Sequence, residues 1–380
     1  MAVAFARGTE VRINLDALRA NVRLFCERVG PNIAVMAVVK ADGYGHGAVP
    51  AAAAALEAGA SWLGVAAAEE GVELRHAGID APILVLGAST PSQVEMAVGN
   101  RLDVTVFDPD TLESCRYWGR RVGTVPRVHL KVDTGMGRVG VSPEAIGEWQ
   151  EKLAVPGVFW QGLMSHLAAA DSDSEYTRQQ LSRFLDVIEH LRRSGVPLPP
   201  TVHLANSAAA LRFPGTRFNL VRVGIGLYGL PPWPAVGEPL HPVLSWTSRV
   251  TMVKPVAEGQ PVGYGLTFKA PRDAVIATVG VGYADGYRRL LSNRSEVLIH
   301  GRRCPVVGRV SMDQLTVLVP DDVAAAVGDP VALIGTQGSE CVGAEHLAQW
   351  AETISYEIVT GISSRVPRIY DDSDRATKRQ

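Results

Sequence analysis

The side chain best placed to do chemistry is Lys40. It ends the apolar run 33–39 and opens the turn Ala41-Asp42-Gly43-Tyr44-Gly45-His46-Gly47. An amine at the mouth of a buried strand is desolvated, which lowers its pKa and frees its lone pair to attack a carbonyl and form a Schiff base. Lysine is otherwise scarce, at positions 131, 152, 254, 269 and 378, and arginine supplies the rest of the positive charge. Polar, titratable and glycine residues also follow later apolar runs. They are Lys131, Asp133 and the loop Thr134-Gly135-Met136-Gly137-Arg138, then Ser165-His166, Asn206-Ser207, and Arg222, Gly224 and Ile225. Taken singly, each has an ordinary reading: a solvent-facing strand-end lysine, a satisfied core histidine at 166, a helix N-cap at Ser207, a tight turn at Gly224-x-Gly226. Together, at five of eight run ends, they favour one active site.

The elements that must position these residues follow from the pattern. Strand-like runs occur at 33–39, 62–67, 82–87, 103–107, 127–132, 159–166, 201–205 and 219–223, with gaps that can each hold a helix. Residues 48–58 favour helix. Ser142-Pro143 reads as an N-cap and first-turn proline before a helix at 144–153. Residues 177–194 place Leu181, Phe184, Leu185, Ile188 and Leu191 on one helical face that stops at Gly195. Eight strand–helix units predict a (β/α)8 barrel, whose active sites lie at the C-terminal strand ends. An open doubly wound sheet is the competing fold. Near Pro231-Pro232-Trp233-Pro234 the pattern changes, and strands are predicted at 250–256, 274–279, 296–299, 305–310, 315–319 and 330–334, with one helix at 343–354. The expected division is a barrel over 1–241 and a mostly β domain over 242–380. No internal repeat or low-complexity linker is visible, and the polar tail 371–380 is expected to fray.

Composition narrows the function. A chain of 380 residues, 47% hydrophobic and 20% charged, suits a globular enzyme of two domains. A net charge of −2 points to neither nucleic acid nor an anionic membrane. The alanine-rich stretch 49–68 is interrupted by Glu57 and Gly59, so it reads as helix then strand and not as a membrane span. Cys26, Cys115, Cys304 and Cys341 are scattered without metal-ligand spacing and read as reduced thiols. The start MAVAFARGTE has no charged segment followed by a long apolar one, so no signal peptide is expected and a cytosolic location is.

The ordered stretches AVVKADGYGHG, HLKVDTGMGRVG, SHLAAAD, HLANSAA, RVGIGLYG, VGYGLTF, VGYADGY, RVSMDQ and SYEIVTGIS run from residue 37 to residue 363. In this set the chain resembles the alanine racemases, pyridoxal-phosphate (PLP) enzymes built from a barrel and a β domain. The resemblance implies that Lys40 carries PLP as an imine and that L- and D-alanine interconvert through a substrate–PLP imine by two bases, Lys40 and Tyr264. The PLP imine delocalises the carbanion left when the α-proton departs. In this family the tyrosine comes from the partner subunit, so the active unit implied is a homodimer with shared active sites. A phenol needs cationic neighbours to work near neutrality, and the resemblance offers His166 with Arg222 beyond it.

Arg222 matches the arginine that faces the pyridine nitrogen. A guanidinium only donates, so the ring nitrogen stays unprotonated and the ring is a weaker electron sink. Ser207, the amides of Gly224 and Ile225, and the phenols of Tyr44 and Tyr356 match the phosphate cradle, with Asn206 beside them. Arg138 and the Met312 amide match the substrate-carboxylate site, while Tyr283, Asp313 and Tyr356 match the entrance and pocket. Lys131 matches a lysine that is often carbamylated. No metal is implied, and the lack of a Walker-type loop argues against a nucleotide. Ser311 stands where some relatives carry cysteine. The product implied is D-alanine for cell-wall peptidoglycan.

Several alternatives stay open on sequence alone. One is a PLP racemase acting on serine or a broader range. Others are a PLP decarboxylase of the same plan, opposed by Tyr264 and Arg222, and a PLP carrier, opposed by the full β domain. A metal-dependent hydrolase lacks a His/Asp cluster of ligand spacing.

Overall fold

The computed structural model describes residues 7–233 and 237–373, which separate into two compact units, 17–241 and 1–16 with 242–380. Pro234 of the proline cluster, and residues 374–380 of the tail expected to fray, lie outside the described residues.

The first unit is a near-closed barrel of eight parallel strands: Ala34–Val38, Trp62–Val65, Ile83–Val85, Asp103–Val106, Arg127–Lys131, Phe159–Met164, Thr201–His203 and Leu220–Val223. Each pairs with the next through the seventh, and the eighth pairs with the first, with Ala34 opposite Leu220 and Ala37 opposite Val223. The seventh and eighth share no ladder. The gap is bridged where the Arg222 amide donates to the Ala205 carbonyl at 3.0 Å and the Val202 amide to Asn219 Oδ1 at 2.7 Å. That return to the first strand rules out the open sheet. All eight predicted strands are present within a few residues of their predicted ends. Parallel strands are covered on both faces, so they read as continuous apolar runs, and these are almost wholly buried.

The connecting helices follow local signals. Ala48–Glu57 buries Ala51, Ala52, Ala54 and Ala55, whose small side chains let a helix lie close to the strands. Ser174–Arg193 starts where Asp173 accepts from the amides of Glu175 and Tyr176, both at 3.0 Å, and ends before Gly195, at φ +73°. Its buried face holds Phe184, Val187, Ile188 and Leu191. Leu185, expected on that face, is 46% exposed, because it is one residue, or about 100° of helix, away from Phe184. Ser142 makes no capping bond. A single 3-10 turn, Pro143–Ala145, comes first, and the helix runs Ile146–Ala154.

The second unit is built on Leu244–Val256, whose alternating Leu244, Trp246, Ser248 and Val250 face inward. It pairs with Ala274–Val279 and Pro330–Gln337. Leu315–Val319 extends one side, and Glu296–Ile299 with Arg302–Pro305 extends the other. Three expectations are corrected here. Glu10–Asn14 falls within the span expected for the barrel, but it pairs antiparallel with Leu244–Val256 and parallel with Arg368–Asp371. The alternation of EVRIN, with Val11 and Ile13 fully buried, makes it a half-buried sheet strand. The strand expected at 305–310 is instead Arg302–Pro305, since Gly308 turns at φ +74°. The helix expected at 343–354 is Ala344–Trp350. It stops near Glu352 at φ +54°, and a second helix, Ser355–Thr360, follows.

Candidate functional site

Lys40 follows the first barrel strand, and the turn after it is a short left-handed helix. Ala41, Asp42, Gly43 and Tyr44 have φ of 52°, 51°, 60° and 54°. Three of these are not glycine, and each such residue costs about 1 kcal/mol. Specific bonds hold the turn. The Asp42 carboxylate accepts from the Ala48 amide at 2.7 Å, and Glu70 accepts from the amides of Ala41 at 2.8 Å and Ala66 at 2.6 Å. Burial, then the charge of Arg138, pushes the Lys40 amine below its ordinary pKa, and Glu70 opposes them.

Arg222 lies next to the end of the eighth strand, which pairs with the strand leading to Lys40. It is 6% exposed and touches only neutral acceptors. Nη1 donates to His203 Nδ1 at 2.8 Å and to the His203 carbonyl at 3.0 Å. Nη2 donates to the carbonyls of Ser165 at 2.7 Å and Leu204 at 3.0 Å, and to His166 Nδ1 at 3.2 Å. The Nε donor makes no hydrogen bond among the described residues. Burial pushes the guanidinium down to about 10, still charged at neutral pH. A guanidinium cannot accept, so His166 Nδ1 must be bare and its proton must sit on Nε2. Burial, then Arg222, holds that imidazole well below its usual pKa, so it is neutral.

Gly224 and Ile225 follow directly. A Cβ on Gly224 would collide with the Tyr44 hydroxyl, so the two groups share one small space that only glycine leaves open. The Ser207 hydroxyl accepts from the Gly224 amide at 2.9 Å. The Ile225 amide, at the start of the 3-10 turn Ile225–Tyr228, has no acceptor among the described residues. Asn206 caps the helix Ser207–Arg212, its Oδ1 accepting from the Ala209 amide at 3.0 Å.

Lys131 ends the fifth strand, 6% exposed. Its amine is pushed down to about 8 by burial first, then by Arg222, Arg138 and Lys40, with Asp133 opposing. Asp133 Oδ1 accepts from the amides of Gly135 at 2.9 Å, Met136 at 2.7 Å and Gly137 at 3.1 Å. Burial alone would raise the Asp133 pKa, but these amide donors outweigh it and lower it. The nest shapes the loop that presents Arg138, an exposed side chain. Arg138 thus acts on Lys40, and Arg222, Arg138 and Lys40 act on Lys131, with few carboxylates among them, an arrangement that fits anionic ligands.

In the β unit, Tyr264 sits at the tip of the hairpin Pro261–Val262 and Phe268–Lys269, between Gly263 at φ +76° and Gly265 at φ +72°. It is 72% exposed and lines a concavity of about 620 Å³ with Tyr283, Arg289, Met312 and Asp313. The 311–313 loop is pinned to the turn before it. Tyr283 and Ala284 amides donate to the Ser311 and Met312 carbonyls at 2.9 and 3.0 Å, and Arg365 binds Asp313 at 2.7 Å. Tyr356 lies on the helix Ser355–Thr360, 37% exposed. The expected site residues thus form two groups: Lys40, Tyr44, Lys131, Arg138, His166, Asn206, Ser207, Arg222, Gly224 and Ile225 at the strand ends of the barrel unit, and Tyr264, Tyr283, Met312, Asp313 and Tyr356 on the β unit.

The alanine racemase N-terminal domain family matches residues 13–232, and the alanine racemase C-terminal domain family matches residues 243–370. The chain belongs to the alanine racemase family. It is 51% identical over 368 residues to the alanine racemase of Symbiobacterium thermophilum, covering 96% of this chain and 97% of that one. It is 43% identical to that of Geobacillus stearothermophilus, covering 96% and 94%. Among solved structures, the Bacillus anthracis alanine racemase with bound L-Ala-P superposes with a TM-score of 0.91 at 40% identity, covering 98% of this chain and 97% of that one. The E. faecalis alanine racemase superposes at 0.90 and 38%, covering 98% and 100%.

Sequence reasoning does not single out Asp103, His129, His203 or Glu70, although Glu70 binds the turn after Lys40 and the two histidines link the strand end at Arg222 to Asp103 at the start of its strand. A signal was available for His129. It stands two residues before Lys131 on one strand, so both point to the same face. Among the described residues no group of histidine, cysteine and carboxylate side chains has metal-binding geometry, and no helix is long and apolar enough to cross a membrane.

Proposed function

We propose that this member of the alanine racemase family interconverts L- and D-alanine with PLP attached at Lys40. The observation that carries the cofactor assignment is the set of donors left over at the barrel strand ends. Arg222 spends its Nη donors on neutral acceptors and keeps Nε free of any partner among the described residues, which suits an unprotonated ring nitrogen. The bare Ile225 amide, Ser207, and the space kept by Gly224 beside the Tyr44 hydroxyl suit a phosphate. Asn206 would flank it, and Tyr356 would add a phenol from the β unit. When bound, PLP supplies an electron sink for the charge left on Cα.

The chain's own residues supply the rest. The Lys40 amine, lowered by burial and by Arg138, gives up its proton more readily than an ordinary lysine and so suits the task of taking and returning one. The opposite face needs a second base, and the exposed hairpin tip of Tyr264 is the candidate, served by the partner subunit in a homodimer. Arg138 and the Met312 amide would bind the substrate carboxylate, with Tyr283 and Asp313 narrowing access toward small side chains. Lys131, whose amine falls to about 8, is partly neutral near physiological pH. It would add carbon dioxide and release a proton, and the carbamate would orient Arg138. The enzyme would act in the cytoplasm and supply D-alanine for peptidoglycan.

The test is polarimetry of L-alanine and of L-serine with the holoenzyme, with Lys40→Ala and Tyr264→Phe variants mixed as hybrid dimers. Rapid loss of rotation for alanine, slow loss for serine, and activity regained in hybrids of two inactive variants are expected. Inactive hybrids would remove the shared site, and equal rates on both substrates would favour the broad-range alternative.

A further inference from the structure

We infer that Asp103, His129 and His203 form a one-way hydrogen-bond relay through the barrel that accepts from Arg222, fixes its position and places its balancing charge at the opposite end. The implication for catalysis rests on the reading of Arg222 as the residue facing the cofactor ring.

The relay climbs the barrel interior. Asp103 is the first residue of the fourth strand, His129 the middle of the fifth, His203 the last of the seventh, and Arg222 lies near the end of the eighth. Asp103 Oδ2 lies 3.1 Å from His129 Nε2, His129 Nδ1 lies 2.9 Å from His203 Nε2, and His203 Nδ1 lies 2.8 Å from Arg222 Nη1. Both histidines are fully buried, and Asp103 is 3% exposed.

The proton positions follow from one fact. A guanidinium has no acceptor, so His203 Nδ1 must accept and its proton must be on Nε2. That Nε2–H donates to His129 Nδ1, which must therefore be bare. The His129 proton is then on Nε2, where it donates to the carboxylate. Protonating either ring would set two donors face to face, and exchanging either tautomer would break two links. The charged groups around the relay are Arg222 and Lys131 at the upper end, and Arg127, 3.5 Å from Asp103, with Arg75 at the lower. Burial, then Arg222 for His203, lowers both imidazoles. Asp103 opposes this only at His129.

The barrel is shaped for the relay. The His129 ring stands edge-on to Trp62 at 5.6 Å and to His203 at 5.2 Å. A Cβ on Gly162, its neighbour across the sheet, would run into the His129 ring. The Arg222 cation has no carboxylate partner, and a fully buried ion is stable only with counter-charge or well-aimed dipoles. Two aligned imidazoles ending on a carboxylate supply both, since hydrogen bonds in series polarise one another. Asp103, His129 and His203 are thus positioning residues for Arg222.

The experiment is long-range proton–nitrogen correlation spectroscopy of the holoenzyme carrying 15N-histidine, from pH 6 to pH 9, with His129→Gln and His203→Gln for assignment. Both rings are expected in the neutral Nε2–H form throughout. An imidazolium or an Nδ1–H tautomer at either would overturn the relay. In Asp103→Asn, which keeps an acceptor, the tautomers should persist. In Asp103→Leu the Nε2–H tautomers, set from the Arg222 end, should persist, the His129 Nε2–H signal should shift because its acceptor is gone, and kcat should fall about tenfold with KM within about twofold. If Asp103→Leu does not fold, Asp103→Ala takes its place. An unaltered His129 Nε2–H signal in a folded acceptor-less variant would also overturn the proposal. Intact tautomers in a protein that fails to racemise alanine would leave the relay standing and remove the proposed role of Arg222 toward the cofactor.

Discussion

Replacing Lys131 with Met should stabilise the cofactor-free protein near neutral pH, and the gain should vanish as pH rises. The Lys131 amine is lowered from 10.5 to about 8, mainly by burial and then by Arg222, Arg138 and Lys40. Well below pH 8 the ammonium is charged in both folded and unfolded chains, and the fold bears the full penalty of an ill-placed charge. Between 8 and 10.5 only the unfolded chain holds the proton, so raising pH stabilises the fold. At about 1.4 kcal/mol per pH unit, the window from pH 7 to pH 10 is worth about 2–3 kcal/mol. The assay is urea unfolding of wild type and Lys131→Met at fixed protein concentration, in buffer depleted of carbon dioxide so that no carbamate forms. Other titrating groups largely cancel in the difference. The advantage of the variant should shrink by about 2–3 kcal/mol across that window. A difference that changes by less than about 0.5 kcal/mol would refute the reasoning, because Lys131 would then titrate alike in both states.

Three further outcomes follow from the geometry. Gly162→Ala drives a methyl into the His129 ring inside a closed barrel and should destabilise the fold by about 3 kcal/mol in denaturant titration. Ala41→Gly relieves a left-handed residue at φ +52°, and should raise stability by about 0.5–1 kcal/mol after glycine's greater unfolded entropy is counted; a loss would show that the turn is not strained. Gly224→Ala pushes on the Tyr44 hydroxyl and should weaken PLP retention about tenfold in equilibrium dialysis, with little change in the circular dichroism of the apoprotein.

The eight barrel strands were legible because each is an apolar run bounded by turn residues, and parallel strands buried on both faces leave that mark. Leu185 was misplaced because a helix with apolar residues at adjacent positions does not reveal which one faces inward. Glu10–Asn14 was missed because its partners are more than two hundred residues away in the chain, and five alternating residues look like any short amphipathic piece. The strand-end positions of Lys40, Lys131, His166 and Arg222 were readable from the barrel rule alone. Their ordered motifs carried the resemblance to the racemase family.

By itself, the sequence determined the fold class, the family, and the residue types at the strand ends. These depend on local periodicity and on short motifs, which are properties of neighbouring residues. Tertiary structure decided what those residues are. Burial and nearby cations move Lys131 to about 8, and neutral acceptors hold Arg222 with one donor spare. Asp103, His129 and His203 become a directed chain only when strands four, five and seven join one barrel, with Gly162 of the sixth leaving room between His129 and His203. Charge state and proton position depend on through-space distance and dielectric, and neither is written in the order of residues along a chain.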